Sequence, residues 1–190
     1  MTNTSIQRCS WGESNDKALQ DYHDHEWGKL SLDDNYLYEM LILELFQSGL
    51  SWSTILHKRE NFRKAFKNFD TAEVVQMTEE DMEDLMHDAS IIRNRRKIHA
   101  TVQNARAVLI IRKKYGSFAK YLQSFVKTPI IHHPENMAEV PAQSELSQKI
   151  SKQMKKDGFT FVGPVVIYSY LQAIGLINDH LESCSFKFNG

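Results

Sequence analysis

Apolar residues recur at helical spacing along most of this 190-residue chain. No pair of alternating apolar and polar runs stands out as strands. That periodicity limits the fold to an all-α class. The clearest segment is 35–48, NYLYEMLILELFQS, followed by Gly49, the residue type that ends helices in a left-handed conformation. Ser51 is placed to cap a Lys- and Arg-rich helix over about 52–67. Asp70 or Thr71 opens a short helix, and Thr78 opens another, where T-E-E-D reads as a capping box. A turn over 90–93 leads into a long helix from about Asn94 to Tyr115, and Ser117 caps one that runs to about Val126. Residues 127–141 hold three of the four prolines and form the one clear irregular loop. A helix from about Ser144 to Lys156 follows, then a turn over 158–163. Pro164 stands at the first position of a last, nearly all-apolar helix. A chain of this length can build one domain with a sizeable core, and no repeat or long linker divides it.

The apolar stretch PVVIYSYLQAIGLI is too short to span a bilayer. The start, MTNTSIQRCSWGES, lacks the apolar core of a secretory signal, so a cytoplasmic protein is the expectation. Net charge is −1, which gives no global attraction for nucleic acid. The charges are unevenly placed: 78–88 is acidic, while RNRRK at 93–97 and RKK at 112–114 are basic. Local patches matter more than the total for docking on a polyanion. Two solvated helix faces of opposite sign account for the same pattern.

Residues 21–28, DYHDHEWG, pack two histidines, three carboxylates, a tyrosine and a tryptophan together, a mix unusual for either a helix or a strand. The two cysteines lie near the chain's ends, each with histidine nearby: Cys9 with His23 and His25, Cys184 with His180. Two Cys and two His suit tetrahedral zinc, and H-x-x-x-C can bring two ligands together on a helix end or turn. Two buried cysteines and surface histidines are the plainer alternative. Glu44 stands in LILELF, where an unpaired buried carboxylate costs on the order of several kcal/mol. It therefore faces water or has a partner. Glu44, Gln47, Ser48 and Ser51 share one helical stripe that solvent alone can explain.

The stretches RCSW, YHDHEWG, LELFQSGLSW, KRENFRKAF, DASIIRNRRKI, GFTFVGPVVIYSYLQAIGLINDH and the final Cys184 occur in this order. As a set they resemble the 3-methyladenine DNA glycosylase I family of the helix-hairpin-helix superfamily, from Cys9 to Cys184. The resemblance implies a single all-α glycosylase domain with two helical lobes, 1–35 plus 142–190 and 36–141, joined at the chain ends by a structural zinc. It implies Cys9, His23, His180 and Cys184 as zinc ligands, and it leaves out His25. It places Tyr22, Trp27, Glu44 and Trp52 in a base-binding pocket. It makes Gly49 and Leu50 the wedge that enters the base stack. It assigns Ser90, Arg93, Asn94, Arg95, Arg96 and Lys97 to the DNA backbone.

The implied activity is flipping and hydrolytic removal of 3-methyladenine from alkylated duplex DNA, leaving an abasic site. A base stacked in the duplex is otherwise unreachable. The expected state is a monomer away from membranes, with free 3-methyladenine as product. No Asp lies between Asp88 and Asp157, which argues against the aspartate many superfamily members use beyond the hairpin. Asp179 is expected to orient the zinc ligand or cap a helix. The hairpin departs from the family pattern at Ser90 and Arg96, where glycines are usual, and this puts the phosphate contact in question. A non-catalytic damage-binding module and a zinc-stabilised binder of free purine are the competing readings.

Overall fold

Side-chain caps set where the helices begin. The computed structural model describes residues 6–187. In order come α1 (Lys17–His25), α2 (Asp34–Gln47), α3 (Trp52–Ala65), α4 (Thr71–Val74), α5 (Glu79–His87), α6 (Arg95–Tyr115), α7 (Phe118–Gln123), α8 (Glu145–Lys156) and α9 (Pro164–Ala173). Asp16, Asp33, Ser51, Asp70, Asn94 and Ser117 each accept a backbone N–H one to three residues into the following helix. Thr78 with Asp81, and Ser144 with Ser147, close reciprocal capping boxes. The expected starts at Ser51, Thr78, Asn94, Ser117, Ser144 and Pro164 are all present. Among the described residues no helix is long and apolar enough to cross a membrane.

Three features depart from the sequence reading. The mixed segment beginning at Asp21 is helical as far as His25, as the last turns of α1. A short parallel pair also exists, β1 (Ile130–Ile131) beside β2 (Ile177–Asn178). Two residues per strand are too few to show alternation. The pair is extended by His132 N–H donating to Asn178 O at 3.0 Å, and it pins the Pro-rich loop to the segment after α9. Finally, α3 stops at Ala65 because Lys67, Asn68 and Phe69 turn left-handed, with φ of 53°, 52° and 57°. Such a turn costs roughly 1–2 kcal/mol per residue. The fully buried, stacked rings of Phe66 and Phe69 hold it in place.

The core is centred on α2, which is buried from Leu37 to Phe46 on every face. A helix apolar all round must be enclosed by others, and α3, α6, α7 and α9 pack against it. Two fully buried tyrosines are paired: Tyr38 donates to Thr101 O at 2.8 Å and Tyr170 to Leu37 O at 2.9 Å.

One ion network fixes the register of the first three helices. Arg59 on α3 is 9% exposed. Its Nε donates to Glu39 of α2 at 2.5 Å, and its Nη1 donates to both oxygens of Glu26, just past α1, at 2.8 Å. Arg63 adds a second contact to Glu39 at 2.8 Å, and the Tyr36 hydroxyl donates to Glu26. A planar guanidinium serves two carboxylates at once, which an ammonium cannot reproduce. Arg59→Met should destabilise the protein by about 3–5 kcal/mol, because two carboxylates lose their shared counter-charge. Arg59→Lys should recover less than half of that in urea denaturation.

Candidate functional site

A cavity of about 420 Å³ opens where α1, the C-terminal half of α2, the start of α3 and α9 meet. Met137 and Val140, from the loop that β1 pins, close one side. The walls are aromatic. Tyr22 and Trp52 stand 5.1 Å apart at 56°, and Trp11 meets Trp27 edge-on at 4.9 Å. All four predicted pocket residues, Tyr22, Trp27, Glu44 and Trp52, lie on this one cavity. Trp11, Ser169, Gln172 and the two loop residues were not foreseen. Gln172 and Ser169 sit in a helix that reads as nearly all-apolar, and these two polar residues, three apart, were the available signal.

Glu44 is buried, and among the described residues nothing donates to it. Its stripe is therefore not merely solvated: Glu44, Gln47 and Ser51 line the cavity. Burial pushes the Glu44 carboxyl up to about 8, from an ordinary 4.5. Near neutral pH the side chain is a carboxylic acid, which both donates and accepts. The Trp52 Nε1–H is also buried, with no acceptor among the described residues. These groups suit a flat heterocycle that stacks on the indole and presents a donor–acceptor edge to the acid.

The segment 21–28 serves several sites at once. Tyr22 and Trp27 face the cavity, and Glu26 binds Arg59. His25 is exposed, its Nδ1 beside Asp21 O. His23 points into a second cluster. Its Nδ1 lies 2.8 Å from Asp24, which Arg8 grips through two nitrogens. This bond puts the proton on Nδ1 and leaves Nε2 as a lone-pair donor. That Nε2 is 3.7 Å from Cys184 Sγ. The donor atoms of Cys9, His23 and Cys184 lie within 4.8 Å of one another, so the group could hold a metal ion. His180, the fourth expected ligand, is buried beside them with its ring 5.0 Å from that of His23, and it is not one of the three donors brought together. Asn178 Oδ1 sits 2.9 Å from its Nδ1, so Asn178 takes the orienting role expected of Asp179. Burial lowers the pKa of both histidines, His180 to about 4, and raises Cys9 to about 12. Two glycines make room for the rings: a Cβ on Gly12 would meet His23 at 2.6 Å, and one on Gly28 would meet His180 at 2.9 Å.

The hairpin between α5 and α6 presents Arg93, Arg95 and Arg96 to solvent. Asn94 caps α6, Arg95 pairs with Glu83, and the Arg96 guanidinium lies 5.5 Å from the centre of the Phe161 ring. Neither Ser90 nor Arg96 has a positive φ, so the missing glycines impose no backbone strain. Ser90 N–H bonds to Asp88 Oδ1 at 2.8 Å, and its carbonyl accepts from Lys58 at 2.9 Å. Lys97 is a correction. It is buried and donates to Phe46 O and Ser48 O, both at 2.9 Å, so it caps the end of α2 instead of facing a phosphate. Immediately beyond, Gly49 takes φ 85°, and Leu50 is 37% exposed at the turn, not folded into the core.

Fold and site define a helical protein with an acid-floored aromatic cavity beside a basic hairpin and a cysteine–histidine cluster. Residues 11–188 match the model of the methyladenine glycosylase family, and the chain belongs to that family. It is 44% identical over 180 residues to DNA-3-methyladenine glycosylase 1 of Escherichia coli (strain K12), covering 94% of this chain and 96% of the relative. It is 41% identical to DNA-3-methyladenine glycosylase of Haemophilus influenzae, covering 95% and 97%. The solved 3-methyladenine DNA glycosylase I of Staphylococcus aureus superposes with a TM-score of 0.93 at 37% identity, covering 97% of this chain and 98% of that one. Another solved structure of such an enzyme, in complex with 3-methyladenine, matches equally well, at 0.93 and 37%, with 97% and 99% covered.

The raised Glu44 carboxyl links stability to pH. The folded chain keeps a proton that the unfolded chain releases between about 4.5 and about 8, so stability falls as pH rises through that window. Thermal denaturation of the empty protein should show Tm dropping from pH 5 to pH 8, and Glu44→Gln should remove most of that slope.

Proposed function

We propose that this chain is a monofunctional base-excision glycosylase that removes 3-methyladenine from alkylated duplex DNA. The observation that carries the reading is Glu44, a buried carboxyl with no partner among the described residues, lining an aromatic cavity in a chain of the methyladenine glycosylase family.

In duplex DNA the methylated base is a cation, and it must leave the stack to be reached. The α6 N-terminus and the arginines around it supply a phosphate dock, with Arg95 exchanging Glu83 for the DNA. Leu50 fills the gap the base leaves, as apolar wedges do. Inside the cavity the cation displaces the Glu44 proton, and the resulting carboxylate stabilises the ring and accepts its amino hydrogens. Trp52 stacks on it. The C1′–N9 bond then breaks, its electron pair passes to the purine and neutralises it, and water adds to C1′ with loss of a proton. The leaving group is already charged, so no general acid is required. Lys97 is committed to two carbonyls, which fits hydrolysis by water without a lysine adduct.

Cys9, His23 and Cys184, with His180 brought in by a small ring shift, match the two-thiolate, two-imidazole set of structural zinc. Bound zinc would cross-link the N-terminal segment to the C-terminal one and take no part in the reaction.

Incubated with methylated duplex DNA, the protein should release 3-methyladenine and leave the strand uncut; chromatography of the released bases reads this. Trp52→Ala should weaken binding of the free base about 5- to 150-fold, from the roughly 1–3 kcal/mol of one stacked base. Protein purified without chelator should carry one zinc per chain by elemental analysis. Gly12→Ala should lose it together with several degrees of Tm.

A further inference from the structure

We infer that Gln172 is a specificity-determining residue of the cavity: Asp179 locks its side-chain amide so that the carbonyl oxygen faces the bound base, admitting a purine with an amino group at C6 and rejecting one with a keto oxygen there. The inference rests on the base-excision reading and deepens it.

Asp179 is 1% exposed, and the oxygen beside His180 Nδ1 is that of Asn178. Three donors converge on its carboxylate. The Tyr168 hydroxyl lies at 2.7 Å and Gln172 Nε2 at 2.6 Å, both on Oδ2, while His132 Nδ1 sits 2.5 Å from Oδ1. Tyr168 and Gln172 are one helical turn apart on α9, so a single carboxylate receives both. His132 comes from the Pro-rich loop whose Met137 and Val140 close the cavity. The same group thus anchors that wall as well.

Gln172 Nε2 is the atom that donates to Asp179 Oδ2, so the amide nitrogen faces the carboxylate. The Gln172 oxygen must then lie on the other branch. Gln172 is 8% exposed, and it lines the cavity together with Glu44. A cationic ligand that has displaced the Glu44 proton therefore meets two acceptors, Glu44 and Gln172. A 6-amino group carries two N–H bonds and can satisfy both. A 6-keto oxygen sets lone pairs against the Gln172 oxygen and leaves it unpaired. Sites built around a buried polar group discriminate strongly against a ligand that cannot pair with it.

The test compares 3-methyladenine with 3-methylguanine, both by release from methylated duplex DNA and by quenching of tryptophan fluorescence by the free bases. Wild type should prefer the 6-amino base in both assays. Gln172→Leu should cut that preference at least tenfold in both, mainly through stronger acceptance of the keto base. Asp179→Asn, whose amide can donate and so lets Gln172 turn over, should shift the ratio the same way, with metal content measured alongside because His180 is adjacent. A preference ratio unchanged in Gln172→Leu, with both bases weakened in parallel, would overturn the inference whatever Asp179→Asn does. If wild type binds 3-methyladenine but releases nothing, the proposed function fails, and the binding ratios alone decide the role of Gln172. A wild type that binds neither base overturns both.

Discussion

The guanidinium of Arg59 is the interaction on which the rest of the site depends. It is enclosed between helices and holds the end of α1 and the middle of α2 against α3 through charge-assisted bonds of 2.5–2.8 Å. Enclosing charges rarely adds net stability over well-packed apolar groups. What it supplies here is register. Apolar surfaces slide past one another at little cost, whereas a bidentate ion pair has one good geometry. Each of the three helices carries part of the cavity: Tyr22 on α1 with Trp27 just beyond it, Glu44 on α2, and Trp52 at the start of α3. A shift of one helix by a fraction of a turn would separate the stacking face from the acid.

The cavity and the cysteine–histidine cluster solve opposite electrostatic problems. Among the described residues no cation pairs with Glu44, and burial favours its protonated form. The protein thus stores an unfavourable environment at the one place where a charged base is taken up, a common cost of function. The cluster crowds Cys9, His23 and Cys184, a group that could hold a metal ion, and burial disfavours charge on Cys9 and His23.

Local signals reached much of the fold and little of the wiring. Ser51, Thr78, Asn94, Ser117, Ser144 and Pro164 each mark a helix start, because capping is decided within a few residues. Glu44 drew notice as a carboxyl in an apolar run, yet its role came from resemblance, since nothing nearby says which way a helix stripe faces. Lys97 shows the limit. In RNRRK it reads as one more surface cation, but its partners, Phe46 O and Ser48 O, lie about fifty residues earlier in the chain. Asp179 misled in the same way: its neighbour His180 suggested a metal-orienting role, while its donors come from α9 and the Pro-rich loop. The β1–β2 pair was invisible because it is shorter than the period that would reveal it. Ser90 and Arg96, standing where glycines are usual, put the phosphate contact in question, and neither takes a positive φ.

The crowded turn at the end of α1 has a further consequence for how this sequence can change over time. Tyr22, His23, Asp24, Glu26 and Trp27 leave the chain toward the cavity, the cysteine cluster, Arg8, Arg59 and the cavity again. Successive residues of a helix differ by about 100° in direction. Inserting or deleting one residue in this turn would re-aim all of these side chains together. Single substitutions can alter one destination at a time, but length cannot vary here by even one position. Lineages descended from this protein are therefore free to lengthen the loop after β1 long before they can change the spacing between His23 and Trp27.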